Sequence, residues 1–531
     1  MKFALQYVVI GTVLVASAWL QAAENGAPVA FEIDGALQWP ISPCIYGTNQ
    51  PDWQGRGRNL TLTRWGGNRI TAYNWETNAS NAGSDWQHQN DAYLSRHETP
   101  GEPVRQLVAA AHAARAAVIV SVPIIGYVAA DKNGGGDVNQ TPDYLRQRFH
   151  VSLPRKNRPF AFPPDLNDGK VFQDEFVAWL EHAFPQARKD VRRTIFYCLD
   201  NEPDLWSHTH ARIHPEQVRY EELVQRTIEY ATAIKAVVPR ALVFGPASYG
   251  WQGYRTLQDA PDAQSRDFLE FYLEQLRQAE QTAGCRLLDV LDLHWYPEAR
   301  GGDVRIAEDD ARPEVAAARI QAPRSLWDPG YTEQSWITQH VLHEPIRLLP
   351  RIREKIDRFY PGTRLAITEY YYGGGGDISG ALAQADVLGI FGRERVAAAA
   401  LWQMGQTDHR FIYAAFAMFR NYDGRDGSFG SVGLSARTSD AERTSVYASL
   451  DARQQVVLVA INKSAAAITA EIRIQNCPPV SQAAVYQLTQ AEPGPVARDK
   501  LRVESSGRLR YVFPARSVST LVLLAAPEGR R

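Results

Sequence analysis

Thr194-Ile-Phe-Tyr-Cys-Leu-Asp-Asn-Glu-Pro-Asp-Leu-Trp206 is the stretch on which the rest of the chain turns. Thr194 to Leu199 carries no charge and forms a short β-run of the kind buried on both faces in a parallel sheet. Pro203 then stops the ladder, and Asp200, Asn201, Glu202 and Asp204 crowd the C-terminal end of the strand. A carboxylate there, with an amide beside it and Trp206 just beyond, suits proton transfer against a sugar. Arg364-Leu-Ala-Ile-Thr-Glu-Tyr370, followed by Tyr371, Tyr372 and a run of glycines, has the same grammar. Two strands that each deliver one Glu at their C-terminal end supply what glycoside hydrolysis by a carboxylate pair requires.

Working outward, buried β-runs centre on Tyr46, Thr63, Val120, Tyr197, Val243, Leu291, Ile367 and Ala399. Helical stretches alternate with them at 103–117, 171–188, 215–237, 268–283, 333–359 and 378–393. Eight such strands predict an α/β fold, a (β/α)8 barrel, whose active site lies at the C-terminal strand ends. Glu202 then ends the fourth strand and Glu369 the seventh, on opposite sides of the mouth. Beyond about Ile412 the pattern becomes short alternating runs at 444–450, 455–462, 467–475, 483–489 and 509–524. They predict an antiparallel β-sandwich. The expected division is an export signal at 1–23, a strand within 24–43 joining the sandwich, the barrel over 44–411 and the sandwich over 412–531.

Composition narrows the function classes. A hydrophobic content of 45% and a charged content of 22% are those of a water-soluble globular protein. The net charge of −2 gives no electrostatic case for nucleic acid or an anionic membrane. The 13 Trp and 23 Tyr exceed what a core needs, and both are good platforms for sugar rings. Lys2, the apolar run Tyr7 to Leu20 and the small residues Ala16-Ser-Ala18 or Ala22-Ala23 have the layout of a cleavable signal. The chain is therefore expected to be secreted or periplasmic, free of the membrane after cleavage, and monomeric. Cys44, Cys198, Cys285 and Cys477 lie far apart without metal-type spacing, and a single bridge or free thiols both fit.

Tyr46-Gly-Thr-Asn-Gln50, the run from Arg64 to Glu76, the run from Ser80 to Gln87, and Asp200-Asn-Glu-Pro-Asp204 with Trp206, His210 and His214 are further landmarks. With Asp292-Leu-His-Trp-Tyr-Pro297 and Thr368-Glu-Tyr370 they resemble glycoside hydrolase family 44, secreted endo-β-1,4-glucanases and xyloglucanases. The resemblance covers most of 46–403. It implies a barrel with an attached β-sandwich, a retaining mechanism, Glu202 as acid/base and Glu369 as nucleophile.

Around that pair, Asn201 is expected to meet the sugar 2-hydroxyl, Arg64 to hydrogen-bond the nucleophile, and Tyr370 to orient it through its hydroxyl. His294, Tyr296 and Trp402 end the sixth and eighth strands and are expected to line the subsites. Asn49, Trp65, Asn68, Trp206 and Trp327 are looser candidates for sugar contacts. No organic cofactor is expected. Asp165 and Asp168 lie in a segment like part of a calcium loop, and with Glu76 they form a candidate structural calcium site; a plain Asx-rich turn fits equally well. His208, His210 and His214 lack the spacing of a zinc helix. The expected activity is retaining endo-cleavage of a β-1,4-glucan, xyloglucan or a cellulose-type chain. A β-mannanase or mixed-linkage glucanase on the same scaffold, or an inactive polysaccharide-binding protein, are the alternatives.

Overall fold

The computed structural model describes residues 28–405 and 408–525, so the expected signal at 1–23 lies outside the described residues. Eight parallel strands close into a barrel: Gly47–Thr48, Leu62–Trp65, Ala117–Val122, Ile195–Leu199, Val243–Ser248, Val290–Trp295, Arg364–Tyr370 and Ala398–Leu401. They are numbered first to eighth in that order. Leu62, Ile119, Phe196, Cys198, Phe244, Val290, Ala366 and Ala398 form one buried cluster drawn from the second to the eighth strand. Their chain neighbours Val118, Val120, Tyr197, Val243, Leu291 and Ile367 belong to the larger core shared with the helices. Both faces of the strands are buried, which is why they read as largely apolar runs, interrupted by polar residues such as Arg64, Asp292, His294 and Glu369 that serve the site.

Helices Glu102–Ala113, Gln173–Ala183, Tyr220–Val237, Phe268–Ala283, Leu348–Phe359 and Ile378–Arg393 answer the helical stretches of the sequence. The stretch expected over 333–359, with breaks at Pro345 and Pro350, is two pieces, a wide π-turn at Ile337–Leu342 and the helix Leu348–Phe359; Pro345 lies between them, whereas Pro350 sits in the first turn of the helix and does not break it. Proline lacks the N–H that a continuous helix would need there. Helix Arg410–Arg420 follows the eighth strand and straddles position 412, and the first C-terminal strand begins at Val432.

The C-terminal strands form one nine-stranded sheet with Val29–Pro40 inserted in it. That N-terminal strand pairs antiparallel with Val432–Thr438 and parallel with Ile468–Gln475. The sheet closes over a second core in which Val456, Leu458 and Ala460 meet Phe31, Ile472 and Phe513. The alternate residues Val457, Val459 and Ile461 face the barrel core. Strand Val456–Asn462 is thus covered on both sides. A buried ion pair pins the seam: Lys463 Nζ lies 2.7 Å from Asp386 Oδ2 on helix Ile378–Arg393. Tyr447 donates its hydroxyl to Asp386 Oδ1 at 2.5 Å. All four cysteines are free.

Candidate active site

Asp200 and Glu202 follow the fourth strand with left-handed backbones, at φ of 63° and 47°. Each costs on the order of 1–3 kcal/mol for a residue with a Cβ, so the surroundings must hold them there. They do so through four hydrogen bonds. The Asp200 carboxylate accepts the backbone N–H groups of Ile124 at 2.6 Å and Ile125 at 3.2 Å. Its other oxygen accepts the Asn201 N–H at 2.9 Å, and Glu202 N–H donates to the Ala247 carbonyl at 3.0 Å. Asp200, singled out only as part of a polar cluster, is the clamp that turns the strand end. The result points Glu202 into the barrel mouth.

Glu369 reaches the same mouth by a different device. Pairing of the seventh strand with the eighth slips between Ile367 and Tyr370. Such an irregularity re-aims side chains at a strand end. Glu369 accepts Arg64 Nη1 at 2.7 Å and the Tyr296 hydroxyl at 2.8 Å, one on each oxygen. The second arm of the Arg64 fork, Nη2, donates to Asn201 Oδ1 at 2.7 Å, and Gly67 N–H donates to the same oxygen at 3.2 Å. One buried guanidinium therefore ties the second, fourth and seventh strands together.

His294 stands between the two acids, with Nδ1 2.8 Å from Glu202 Oε1 and 3.6 Å from Glu369 Oε2. One oxygen of each carboxyl group and one ring nitrogen lie within 4.8 Å of one another. Burial depresses the imidazole to about 4, opposed by Glu369 and reinforced by Arg64, so the ring is neutral near pH 7. Burial pushes the Glu202 carboxyl up to about 7, against the pull of Arg64 and with the help of Asp85. Beneath them Asp292 accepts Thr368 Oγ1 at 2.9 Å and Cys198 Sγ at 3.4 Å.

The pair lies in a cleft of about 650 Å³. Asn49, Asn68 and Trp402 line it as expected from the sequence, together with Asn201 and Tyr296. Gly67 lets Trp402 come close: at φ of +93°, a Cβ there would meet the indole at 2.6 Å. Tyr249, Trp251, Trp336, Met404 and Asp85 also line the cleft and were not singled out in the sequence. Tyr249 and Trp251 follow the fifth strand, which the strand-end rule could have flagged.

Four expected contacts lie elsewhere. Tyr370 turns away from Glu369, because successive strand residues face opposite sides, and points outward, where its hydroxyl accepts Gln384 Nε2 at 2.9 Å and its ring meets Phe391. Tyr296 takes the orienting role that was expected of Tyr370. Trp206 is fully buried against His214, and Trp65 is buried against Tyr73, so neither offers a face to a sugar. Trp327 lies at the seam between barrel and sheet, under the Arg393 guanidinium at 3.9 Å.

Asp168 and Asp165 act on Glu76 as like charges, but the three carboxylates do not gather as one set of ligand atoms; among the described residues it is Glu202, His294 and Glu369 that do so, within 4.8 Å. Burial, then Asp168, Glu175 and Asp165, push the Glu76 carboxyl up to about 8, with Lys156 opposing. Asp168 is also paired with Arg158. A buried carboxyl crowded by like charges is the kind of donor set that an oxygen-seeking cation relieves. His210 is buried, with Nε2 2.9 Å from the Asn68 carbonyl, and serves to hold that loop.

A family model described as glycoside hydrolase family 44 matches residues 79–299. The chain is 45% identical over 444 residues to endoglucanase A of Paenibacillus lautus, covering 80% of this chain and 62% of that one. It is 41% identical over 482 residues to a β-mannanase/endoglucanase A of Caldicellulosiruptor saccharolyticus, covering 85% and 36%. The chain thus spans less than two thirds of the length of these two relatives. A Paenibacillus polymyxa xyloglucanase of family 44, solved with xyloglucan, superposes with a TM-score of 0.88 at 40% identity, covering 94% of this chain and all of that one (100%).

Proposed function

Because the chain belongs to glycoside hydrolase family 44, we propose that it is a retaining endo-β-1,4-glycanase that cleaves β-1,4-glucan backbones by double displacement. The observation that carries the reading is the approach of Glu202 and Glu369, with an oxygen of each within 4.8 Å. That is near the separation of about 5–5.5 Å of a retaining pair, and short of the about 6.5–9.5 Å that leaves room for an attacking water.

Glu369 attacks the anomeric carbon while Glu202 gives its proton to the departing glycosidic oxygen, and a glycosyl ester forms on Glu369. Glu202, now a carboxylate, takes a proton from water as the water oxygen attacks the same carbon and the ester bond to Glu369 breaks. Arg64 and Tyr296 hold both oxygens of the nucleophile, so its line of attack is set before substrate arrives. Arg64 also presents the Asn201 side chain to the sugar beside the cleaved bond. The cleft aromatics Trp402, Trp336 and Tyr249 supply platforms for successive rings.

Residues 1–23 serve as an export signal, and the enzyme works as a monomer outside the cytoplasm. No helix among the described residues is long and apolar enough to cross a membrane. Glu76, Asp165 and Asp168 would hold a structural calcium ion if drawn together around it, which would offset the like-charge crowding at Glu76.

The test is the anomeric form of the first products, read by proton NMR on xyloglucan, carboxymethylcellulose, mixed-linkage glucan and glucomannan. The reading expects β-anomers to appear first and xyloglucan or carboxymethylcellulose to be cleaved fastest. Early α-anomers would overturn the mechanism. Preference for glucomannan would move the substrate to mannans, and no cleavage of any would favour a binding protein.

A further inference from the structure

Six charged side chains line the catalytic cleft: Arg69, Asp85, Glu202, Glu298, Arg305 and Glu369. Five of them have a counterpart. Arg69 Nη1 lies 2.7 Å from Asp91 Oδ1, Arg305 Nη2 lies 2.8 Å from Glu298 Oε1, and Glu369 is held by Arg64 at 2.7 Å. Glu202 meets His294 at 2.8 Å and, as the acid, enters the reaction carrying its proton. Asp85 is the sixth. It is exposed in the cleft, and no hydrogen bond or ion pair among the described residues engages its carboxylate. Its charge reaches Glu202 all the same and helps to raise that carboxyl. The backbone beneath Asp85 is fixed. Its N–H donates to the Ala82 carbonyl at 3.2 Å, the Gly83 N–H to Asn81 Oδ1 at 2.9 Å, and the His88 N–H to the Gly83 carbonyl at 2.8 Å. Gly83, at φ of +54°, packs so closely on the segment after Glu202 that a Cβ there would strike the Thr209 carbonyl.

We propose, resting on the glycanase reading above, that Asp85 is a specificity-determining residue, which admits neutral glucose units beside Glu202 and rejects units oxidised to uronates. The chemistry is one-sided. A carboxylate accepts hydrogen bonds and gives none, so Asp85 can take the hydroxyl of a sugar as a donor and cannot pair with a second carboxylate. Selection of this kind works by penalising the wrong partner through like charge. The ion pairs of Arg69 and Arg305 cancel, Arg64 offsets Glu369, and Glu202 is neutral in its acid form. Asp85 is therefore the uncompensated charge of the lining. Two like charges about 8–10 Å apart across a partly aqueous cleft alter a selectivity ratio by about three- to fivefold, and salt removes most of that.

The experiment compares kcat/KM on cellohexaose and on cellohexaose partly oxidised at C6 to uronate, for the parent, Asp85→Asn and Asp85→Glu. Taking the ratio of the two substrates cancels any effect of Asp85 on the acidity of Glu202, because both are cleaved by the same acid. The parent should favour the neutral sugar, Asp85→Asn should narrow that preference by about threefold or more, and Asp85→Glu should keep it. A parent indifferent to oxidation, an unchanged ratio in Asp85→Asn, or a preference lost equally in Asp85→Glu overturns the proposal. Salt gives a second measurement on the parent alone: about 1 M NaCl should bring the two substrates together. A ratio that salt does not move overturns the proposal even where the variants fail to fold. No cleavage of neutral cellohexaose or of any β-1,4-glucan would instead overturn the glycanase reading, and this inference with it.

Discussion

Replacing Arg64 by Lys keeps the buried positive charge and removes the fork. In the parent one guanidinium serves Glu369 through Nη1 and Asn201 through Nη2, each at 2.7 Å. A single ammonium on a shorter, rounder head cannot span both acceptors in one geometry. A hydrogen bond to a charged group contributes about 1.5–3 kcal/mol. If Lys follows the nearer demand of charge and stays with Glu369, Asn201 loses its strongest donor and swings out of place. If it follows Asn201, the nucleophile is left with Tyr296 alone. Either way the transition state loses one such bond, so kcat/KM falls by about 10- to 150-fold. The assay is kcat/KM on a soluble β-1,4-glucan, with a thermal melt showing that the variant is folded. A value within threefold of the parent would refute the idea that the fork, and not merely its charge, organises the site.

Three more outcomes follow from the same geometry. Glu202 must carry its proton when substrate binds, and burial raises it from 4.5 to about 7; kcat/KM is therefore present below that pH and falls about tenfold per unit above it. A basic limb near the ordinary carboxyl value would contradict the assignment of Glu202 as the acid. Lys463→Met leaves Asp386 buried without its counter-ion and should cost about 3–5 kcal/mol in chemical denaturation, most of it recovered when Asp386→Leu is added. Equal losses in the single and double variants would show that the pair does not pin the seam. Glu76 is raised from 4.5 to about 8, so the stability it contributes is present at low pH and is lost as pH rises through about 8. Calcium should raise Tm, and more above pH 8 than below it, relative to protein in EGTA; identical melts with and without calcium would remove Glu76, Asp165 and Asp168 as its ligands.

The barrel was legible because its strands are buried on both faces and its helices carry a clear period. The strand Ile195–Leu199 announces itself as an uncharged run and Arg364–Tyr370 by the apolar Leu-Ala-Ile at its centre, and the polar residues at their C-terminal ends mark the mouth. Side-chain direction at those ends was not legible. Alternation along the strand already sets Tyr370 opposite Glu369; the slip in pairing before Tyr370 decides that Glu369 is the one facing the mouth, and no local pattern encodes a slip that depends on the adjacent strand. Trp206 and Trp327 illustrate a related limit: a tryptophan near a functional segment reads the same whether it meets a sugar, the core or an arginine. In the sheet, Val496–Arg502 escaped notice because it is an edge strand rich in Arg, Asp and Lys, the charges that keep an open edge from pairing with other chains. The run 509–524 is two strands, Arg508–Phe513 and Ser517–Ala525, since Pro514 cannot continue the ladder.

The most direct measurement is trapping with a 2-deoxy-2-fluoro-cellobiosyl fluoride, followed by peptide mass spectrometry. The fluorine at C2 slows both steps, the fluoride leaving group speeds the first, and the ester accumulates. One fluorocellobiosyl group on the peptide carrying Glu369, released on adding an acceptor sugar, is the predicted result. A label on Glu202, or an active enzyme that never acquires one, would contradict the account.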